Sequence, residues 1–202
     1  MRTLLLLTAL TTLAFATAGC GDSPSTPAAA ADGLGDTTQH GAPRVASPMV
    51  FANSAKKPCG LLTEPQLKTL GMPGVEGVAG AGDTGPMCDW DDTPGTSGQR
   101  VSFTFTKGNG NGGLDRVYEL KSTFKLFELQ APIQDYPTLL NAPTDDRLKG
   151  VCTLVVGITD DQILTTTIQM RTTPKPAPRA FEPCVVAREA ADLALTSIRT
   201  AG

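Results

Sequence analysis

Four cysteines, Cys59, Cys88, Cys152 and Cys184, set the strongest limit on what this chain can fold into. They are spread over residues 58–202, and an even number of cysteines in an exported domain favours two disulfides. No two of them have the two-residue spacing of a zinc knuckle, and no histidine lies near them, so we do not expect a zinc site. The domain therefore combines a hydrophobic core with covalent cross-links.

The pairing of these cysteines is open to three combinations, and their spacing alone does not select one. We favour Cys59 with Cys184 and Cys88 with Cys152. The reason is that Pro58 and Pro183 make the first and last cysteines resemble helix entries, whereas the middle two lie in strand-like stretches. The sequential pairing is the alternative. Either arrangement predicts a stabilisation of about 2–5 kcal/mol for each bridge.

Export is indicated by the N-terminus. Arg2 precedes an apolar run over residues 4–16, and Thr17, Ala18 and Gly19 lead directly to Cys20. A positive residue, an apolar run of this length and small residues at the cleavage site are typical of a signal peptide. The run is shorter than the roughly 20 residues of a membrane span. We predict a lipoprotein signal peptide over residues 1–19 and an acylated Cys20. The chain would then be anchored at the extracytoplasmic face of the cell membrane; the alternative is an ordinary secretory signal.

The segment that follows, residues 20–57, is rich in Ala, Gly, Pro, Ser and Thr and has no sustained apolar period. Such a composition predicts a flexible tether. Its one apolar spot, Met49 to Phe51, is a candidate for docking on the domain. A single folded domain is expected over residues 58–202. The formal net charge of −3 argues against a nucleic-acid partner, because nucleic acids call for a basic patch.

The hydrophobic pattern of the domain predicts an α+β fold. Thr63 and Gln66 are spaced as a capping box at the start of a short helix. Apolar and polar residues alternate over 101–106, as in a half-buried strand, and apolar residues recur at helical spacing over 114–124. Further strands are expected at 87–91, near 139–140, at 151–158 and at 162–171, with a glycine-rich loop over 72–86 and a last helix after Pro183. Because strands and helices do not alternate as βαβ units, we expect an antiparallel β-sheet packed with helices.

Four short motifs carry a resemblance to a known family. They are Pro-Cys-Gly-Leu-Leu-Thr at 58–63, Cys-Asp-Trp at 88–90, Val-Cys-Thr-Leu-Val-Val at 151–156 and Glu-Pro-Cys-Val-Val-Ala at 182–187. In this order, and behind a lipoprotein signal, they resemble the actinobacterial lipoproteins grouped as domain-of-unknown-function 3558. The resemblance implies a cell-envelope protein, and it offers no catalytic residues to transfer.

Catalytic motifs are not expected from the residues. The only histidine, His40, falls in the predicted tether, and the cysteines are expected to be oxidised and therefore not nucleophilic. Asp89, Asp91 and Asp92 form an acidic cluster, but they lack the spacing of a calcium-binding loop. We therefore expect no enzyme, no cofactor and no metal; an envelope hydrolase acting through these aspartates is the weakest alternative.

Two functions remain. The first is a membrane-anchored interaction or sensing module at the cell envelope, which has a protein partner. The second is a carrier of a small apolar or lipid ligand. We expect a monomer that meets the membrane through Cys20. The carrier hypothesis predicts five residues that line a ligand site: Phe103, Phe105, Tyr118, Phe124 and Leu126.

Overall fold

The computed structural model describes residues 37–82, 84–107 and 113–202. The predicted signal peptide, Cys20 and the tether as far as residue 36 lie outside the described residues. Within these ranges, no helix combines the length and the apolar character needed to cross a membrane.

A single antiparallel sheet of seven strands forms the centre of the domain, which confirms the α+β prediction. The strand order across the sheet is β1-β2-β3-β7-β6-β5-β4. The strands are β1 (Gly77–Gly82), β2 (Gly85–Asp91), β3 (Gln99–Lys107), β4 (Leu126–Ile133), β5 (Tyr136–Ala142), β6 (Val151–Thr159) and β7 (Gln162–Met170). The strands β3, β7 and β6 are central and β1 and β4 are the edges.

The described residues include four α-helices beside the sheet: α1 (Ala52–Lys56), α2 (Glu64–Thr69), α3 (Gly113–Glu119) and α4 (Pro183–Ala201). Short 3₁₀ helices occupy Pro58–Leu61, Lys121–Thr123 and Arg147–Lys149. The start of α2 is the predicted one, because the side-chain oxygen of Gln66 accepts a hydrogen bond from the backbone N–H of Thr63 at 2.7 Å.

The main core lies between α4 and the first face of the sheet. Every second residue of β3 points into it, so Val101, Phe103 and Phe105 are buried. The helix contributes Ala187, Ala190, Ala191, Ala194, Leu195 and Ile198, which are all fully buried. Because most of these side chains are small, the helix backbone approaches the sheet closely.

In the part of the chain that the structure describes, α3 covers only part of the second face of the sheet. A smaller cluster joins Leu114 and Val117 of this helix to Leu139, Val155 and Ile163 of the sheet. On β3 and β7, the residues that alternate with the core residues point to the second face. Many of them are threonines, namely Thr104, Thr106, Thr165 and Thr167. The second face is therefore half polar and half apolar.

The disulfides are sequential, so the favoured pairing is wrong. Cys59 is bonded to Cys88 and Cys152 to Cys184, with Cα atoms 5.1 and 5.2 Å apart. Cys88 lies on β2 and Cys152 on β6, with β3 and β7 between them. Three strand spacings are about 14 Å, twice the largest Cα separation that a disulfide allows. The strand order thus forbids the pairing that the sequence suggested.

The predicted boundary at Pro58 needs a second correction, because residues 37–51, which we name the strap, pack against the domain. The backbone N–H of Met49 donates to the carbonyl of Ile158 at 2.8 Å, and the hydroxyl of Tyr136 donates to the carbonyl of Ser47 at 3.0 Å. The ring of Phe51 stacks on Phe105 with centroids 5.7 Å apart. The apolar spot considered as a docking candidate thus belongs to the fold, and the folded unit starts well before residue 58.

Candidate ligand groove

A groove of about 680 Å³ opens between α3 and the second face of the sheet. Its floor includes the threonine side chains of three neighbouring strands: Thr104 and Thr106 from β3, Thr165 from β7 and Thr153 from β6. Val155 and Ile163 continue the floor with apolar surface. This volume falls within the range of about 300–1,000 Å³ that is usual for small-molecule sites.

The opposite wall of the groove is apolar in part. Its apolar residues are Val117 on α3 and Leu120 and Phe124, which follow this helix. Pro143 and Ala142 close one end beside the side chain of Asn141. A molecule in the groove would therefore meet hydroxyl groups on one side and hydrocarbon on the other.

Two close approaches fix the position of α3, and thus the width of the groove. Gly113 has a φ of +64°, and a Cβ atom there would lie 2.3 Å from the carbonyl oxygen of Asp160. A Cβ atom on Gly157 of β6 would lie 2.7 Å from a methyl carbon of Leu114. Both positions need glycine because backbone or side chain fills the space that a larger residue would take.

The strap holds α3 from the outside. The carboxylate of Asp115 accepts hydrogen bonds from the backbone N–H and the Nδ1 of His40, both at 2.8 Å, and from the hydroxyl of Thr38. Burial raises the pKa of Asp115, but these hydrogen bonds outweigh it and leave the pKa below its ordinary value. The premise that His40 lies in a flexible tether is therefore wrong: His40 orders the strap against α3.

Charge is balanced at the groove. Arg116 and Glu119 are the charged residues among its described lining, and they bond to each other at 2.5 Å. Both side chains are more than a third exposed. The hydroxyls of Thr104, Thr106 and Thr165 have no hydrogen-bond partner among residues 37–82, 84–107 and 113–202. The side-chain oxygen of Asn141 is buried and likewise unpartnered within these ranges.

Four of the five residues predicted to line a ligand site lie outside this groove. Phe103, Phe105 and Leu126 are almost fully buried in the main core, against the other face of the sheet. Tyr118 packs edge-on against Phe127, with ring centroids 5.2 Å apart, and is not part of the lining. Burial raises the pKa of the Tyr118 hydroxyl. Only Phe124 lines the groove.

The acidic residues considered for calcium each have separate partners. Asp89 bonds to Arg100 at 2.7 Å, Asp91 accepts from the backbone of Thr93, and Asp92 accepts from Ser97. Across the described parts of the chain, no group of three or more His, Cys, Asp or Glu side chains is arranged to hold a metal. These carboxylates therefore serve local hydrogen bonding at the ends of β2 and β3.

The domain is thus an α+β domain with two sequential disulfides and one groove between a short helix and a threonine-bearing sheet face. Residues 15–197 match the model of a family described as protein of unknown function (DUF3558), and the chain belongs to that family. The search of curated proteins and the search of solved structures gave no match.

Proposed function

We propose that this chain is a lipid-anchored protein of the cell envelope that binds a small uncharged molecule in the α3 groove and acts as a sensing module or carrier. The observation that carries the proposal is the groove itself, in which unused hydroxyl groups face an apolar wall. Sites for small molecules commonly combine apolar surface with a few polar groups that fix the orientation of the ligand.

The anchor part of the proposal rests on the sequence. Arg2, the apolar run and the small residues before Cys20 favour acylation at that cysteine. An acyl anchor would hold the domain near the membrane, where ligands of the envelope are concentrated. The role proposed is binding without chemistry. A histidine that acts as a general base is hydrogen-bonded to the hydroxyl nucleophile that it activates. The Nε2 atom of His40 makes no such bond among the described residues, which supports a binding role.

The experiment is native mass spectrometry of the chain purified from its own membranes, before and after denaturation. We expect an added mass that denaturation releases. The variant Thr165→Trp fills the floor of the groove and should abolish the added mass. Thr200→Trp is the control, because Thr200 is exposed on α4, which packs on the other face of the sheet, outside the lining. A chain without bound mass, or a bound mass that survives Thr165→Trp, would refute the proposal.

An interaction with a partner protein is the second candidate, and the exposed edge strand β1 favours it. The edge strand β4 is protected, because Arg188 donates to the carbonyls of Ala131 and Pro132 at 2.7 Å. The edge strand β1 reads Gly-Val-Ala-Gly-Ala-Gly, has no charged residue and exposes 69% of Val78. Unprotected edges are sites where an extended segment of another protein can add as a strand.

The β1 edge is tested by photo-crosslinking in intact cells. A photoreactive residue at Val78 should trap a protein partner. One at Leu148 should not, because this residue is 87% exposed on the 3₁₀ helix before β6, a strand that is not next to β1 in the sheet. Equal trapping from both positions, or from neither, would argue against strand addition at β1.

A further inference from the structure

We infer that the ligand of the α3 groove is a neutral saccharide or the glycosyl part of a glycoconjugate. This inference rests on the proposed function and adds the chemical class of the molecule bound. It also departs from the apolar or lipid ligand that the sequence suggested.

The charges at the groove argue for a neutral ligand. Arg116 and Glu119 neutralise each other, so the described lining presents no free charge to a phosphate, a carboxylate or an amine. A charged ligand would lose part of its hydration in the groove and gain no opposite charge in return. Recognition of an anion would call for a guanidinium fork that is free to bind it.

The floor argues for a ligand that carries hydroxyl groups. Thr104 and Thr165 lie directly opposite each other across β3 and β7, so their side chains are neighbours about 5 Å apart. Thr106 lies two residues along β3 on the same face, and Thr153 extends the floor onto β6. Each threonine hydroxyl both donates and accepts, which is also the capacity of each sugar hydroxyl. A row of such groups can hold several hydroxyls of one ring.

An acyl chain does not match this floor. Alkane laid over Thr104, Thr106 and Thr165 would remove their hydroxyls from water and offer no hydrogen bond, and that desolvation is unfavourable. The polar groups therefore select against a purely apolar molecule.

The apolar wall of the groove also suits a saccharide. Val117, Leu120 and Phe124 contribute hydrocarbon to the lining opposite the threonines. A sugar ring has a face of C–H groups and an edge of hydroxyls, so it can pack against the wall and bond to the floor at the same time. A molecule with this division of polar and apolar surface uses both sides of the groove.

The test is a methyl-detected NMR titration of the full chain carrying Cys20→Ser, followed at Val117, Leu120, Val155 and Ile163. The probes are methyl glycosides and disaccharides of neutral hexoses, pentoses and N-acetylhexosamines, with octanol and octanoate as apolar and anionic comparisons. We expect a saccharide to shift these signals. Thr104→Val and Thr165→Val should each weaken its affinity about threefold to tenfold, the value of one hydrogen bond.

Two control variants distinguish the loss of a hydrogen bond to the ligand from a general effect of a Thr→Val substitution on the fold. Thr69→Val on α2 and Thr200→Val on α4 each remove an exposed hydroxyl outside the lining and should leave the affinity unchanged. Binding of octanol or octanoate with no response to any saccharide would overturn this inference and leave the groove a ligand site. Absence of shifts with every probe, together with absence of bound mass in the chain from its own membranes, would overturn the proposed function as well.

Discussion

The Nδ1 atom of His40 lies 2.8 Å from the Oδ2 atom of Asp115, although 75 residues separate the two in sequence. This contact joins the strap to α3, the helix that forms one wall of the groove. The carboxylate of Asp115 is only 13% exposed, and Thr38 and the backbone of His40 bond to its other oxygen. The strap and the groove are therefore parts of one structural unit.

Replacing Asp115 should destabilise the protein at neutral pH. Asp115→Asn removes the charge that three hydrogen bonds stabilise, and we expect the free energy of unfolding to fall by about 1.5–3 kcal/mol. Asp161→Asn, an exposed position on the β6–β7 turn, should change it by less than about 0.5 kcal/mol. Urea unfolding at pH 7 measures both values, and equal effects would contradict the role of the strap contact.

The effect of Asp115 should depend on pH in one direction. Its pKa is lowered in the folded state, so the stabilisation is complete above the unfolded value of about 3.9 and is lost as the pH falls through the folded value. The difference between the wild type and Asp115→Asn should therefore shrink as the pH falls from 5 toward 3. A difference that grows over this range would contradict the lowered pKa.

Gly113 should tolerate no side chain. Gly113→Ala places a methyl group 2.3 Å from the carbonyl oxygen of Asp160 and puts an alanine at a φ of +64°. We expect a loss of about 2 kcal/mol or more in the free energy of unfolding, together with displacement of α3. Gly60→Ala is the control, because no atom lies within 4 Å of its added Cβ. Denaturant unfolding of the two variants should differ clearly; a neutral Gly113→Ala would contradict the close approach.

Each disulfide should contribute separately to stability. The paired cysteines are 29 and 32 residues apart in sequence. In the chain-entropy model, each bridge then stabilises the folded state by about 3–4 kcal/mol. We expect the paired variants Cys59→Ala with Cys88→Ala, and Cys152→Ala with Cys184→Ala, to lower the melting temperature by similar amounts. Peptide mapping without reduction should recover the sequential pairs. Recovery of a peptide that links residue 59 to residue 184 would contradict the structure.

Membrane attachment should depend on Cys20. We expect Cys20→Ser to abolish incorporation of labelled fatty acid and to release the chain from the acylated membrane fraction, because no acyl chain remains to anchor it. Cys59→Ser should keep the label, since residue 59 is part of a disulfide. Unchanged labelling of the Cys20→Ser variant would refute the proposed anchor.

Strands with one buried face were predictable, and the edges were not. β3, β6 and β7 alternate apolar and polar residues or carry long β-branched runs, so their positions follow from the sequence. The edge strand β1 consists of Gly, Ala and Val, a composition that predicts a loop. The edge strand β4 is interrupted by an irregularity between Gln130 and Ile133, which breaks the period of two. The helix expected over 114–124 ends at Glu119.

The groove and the strap were missed for related reasons. The aromatic residues of β3 are the basis of the ligand prediction, but Phe103 and Phe105 fill the core. Thr104 and Thr106, on the opposite face of the same strand, line the groove. Alternation in the sequence shows that two faces exist and does not show which of them stays open. The contacts of the strap are likewise long-range, as between His40 and Asp115, and no local pattern reveals them.

The most direct test of the ligand site is a set of isotope-filtered nuclear Overhauser measurements on the methyl-labelled chain with the molecule extracted from its own envelope. We predict contacts between ligand protons and the methyl groups of Val117 and Ile163, which line the groove, and none to Val50, which is 68% exposed elsewhere. Contacts confined to surfaces outside the groove would contradict the account.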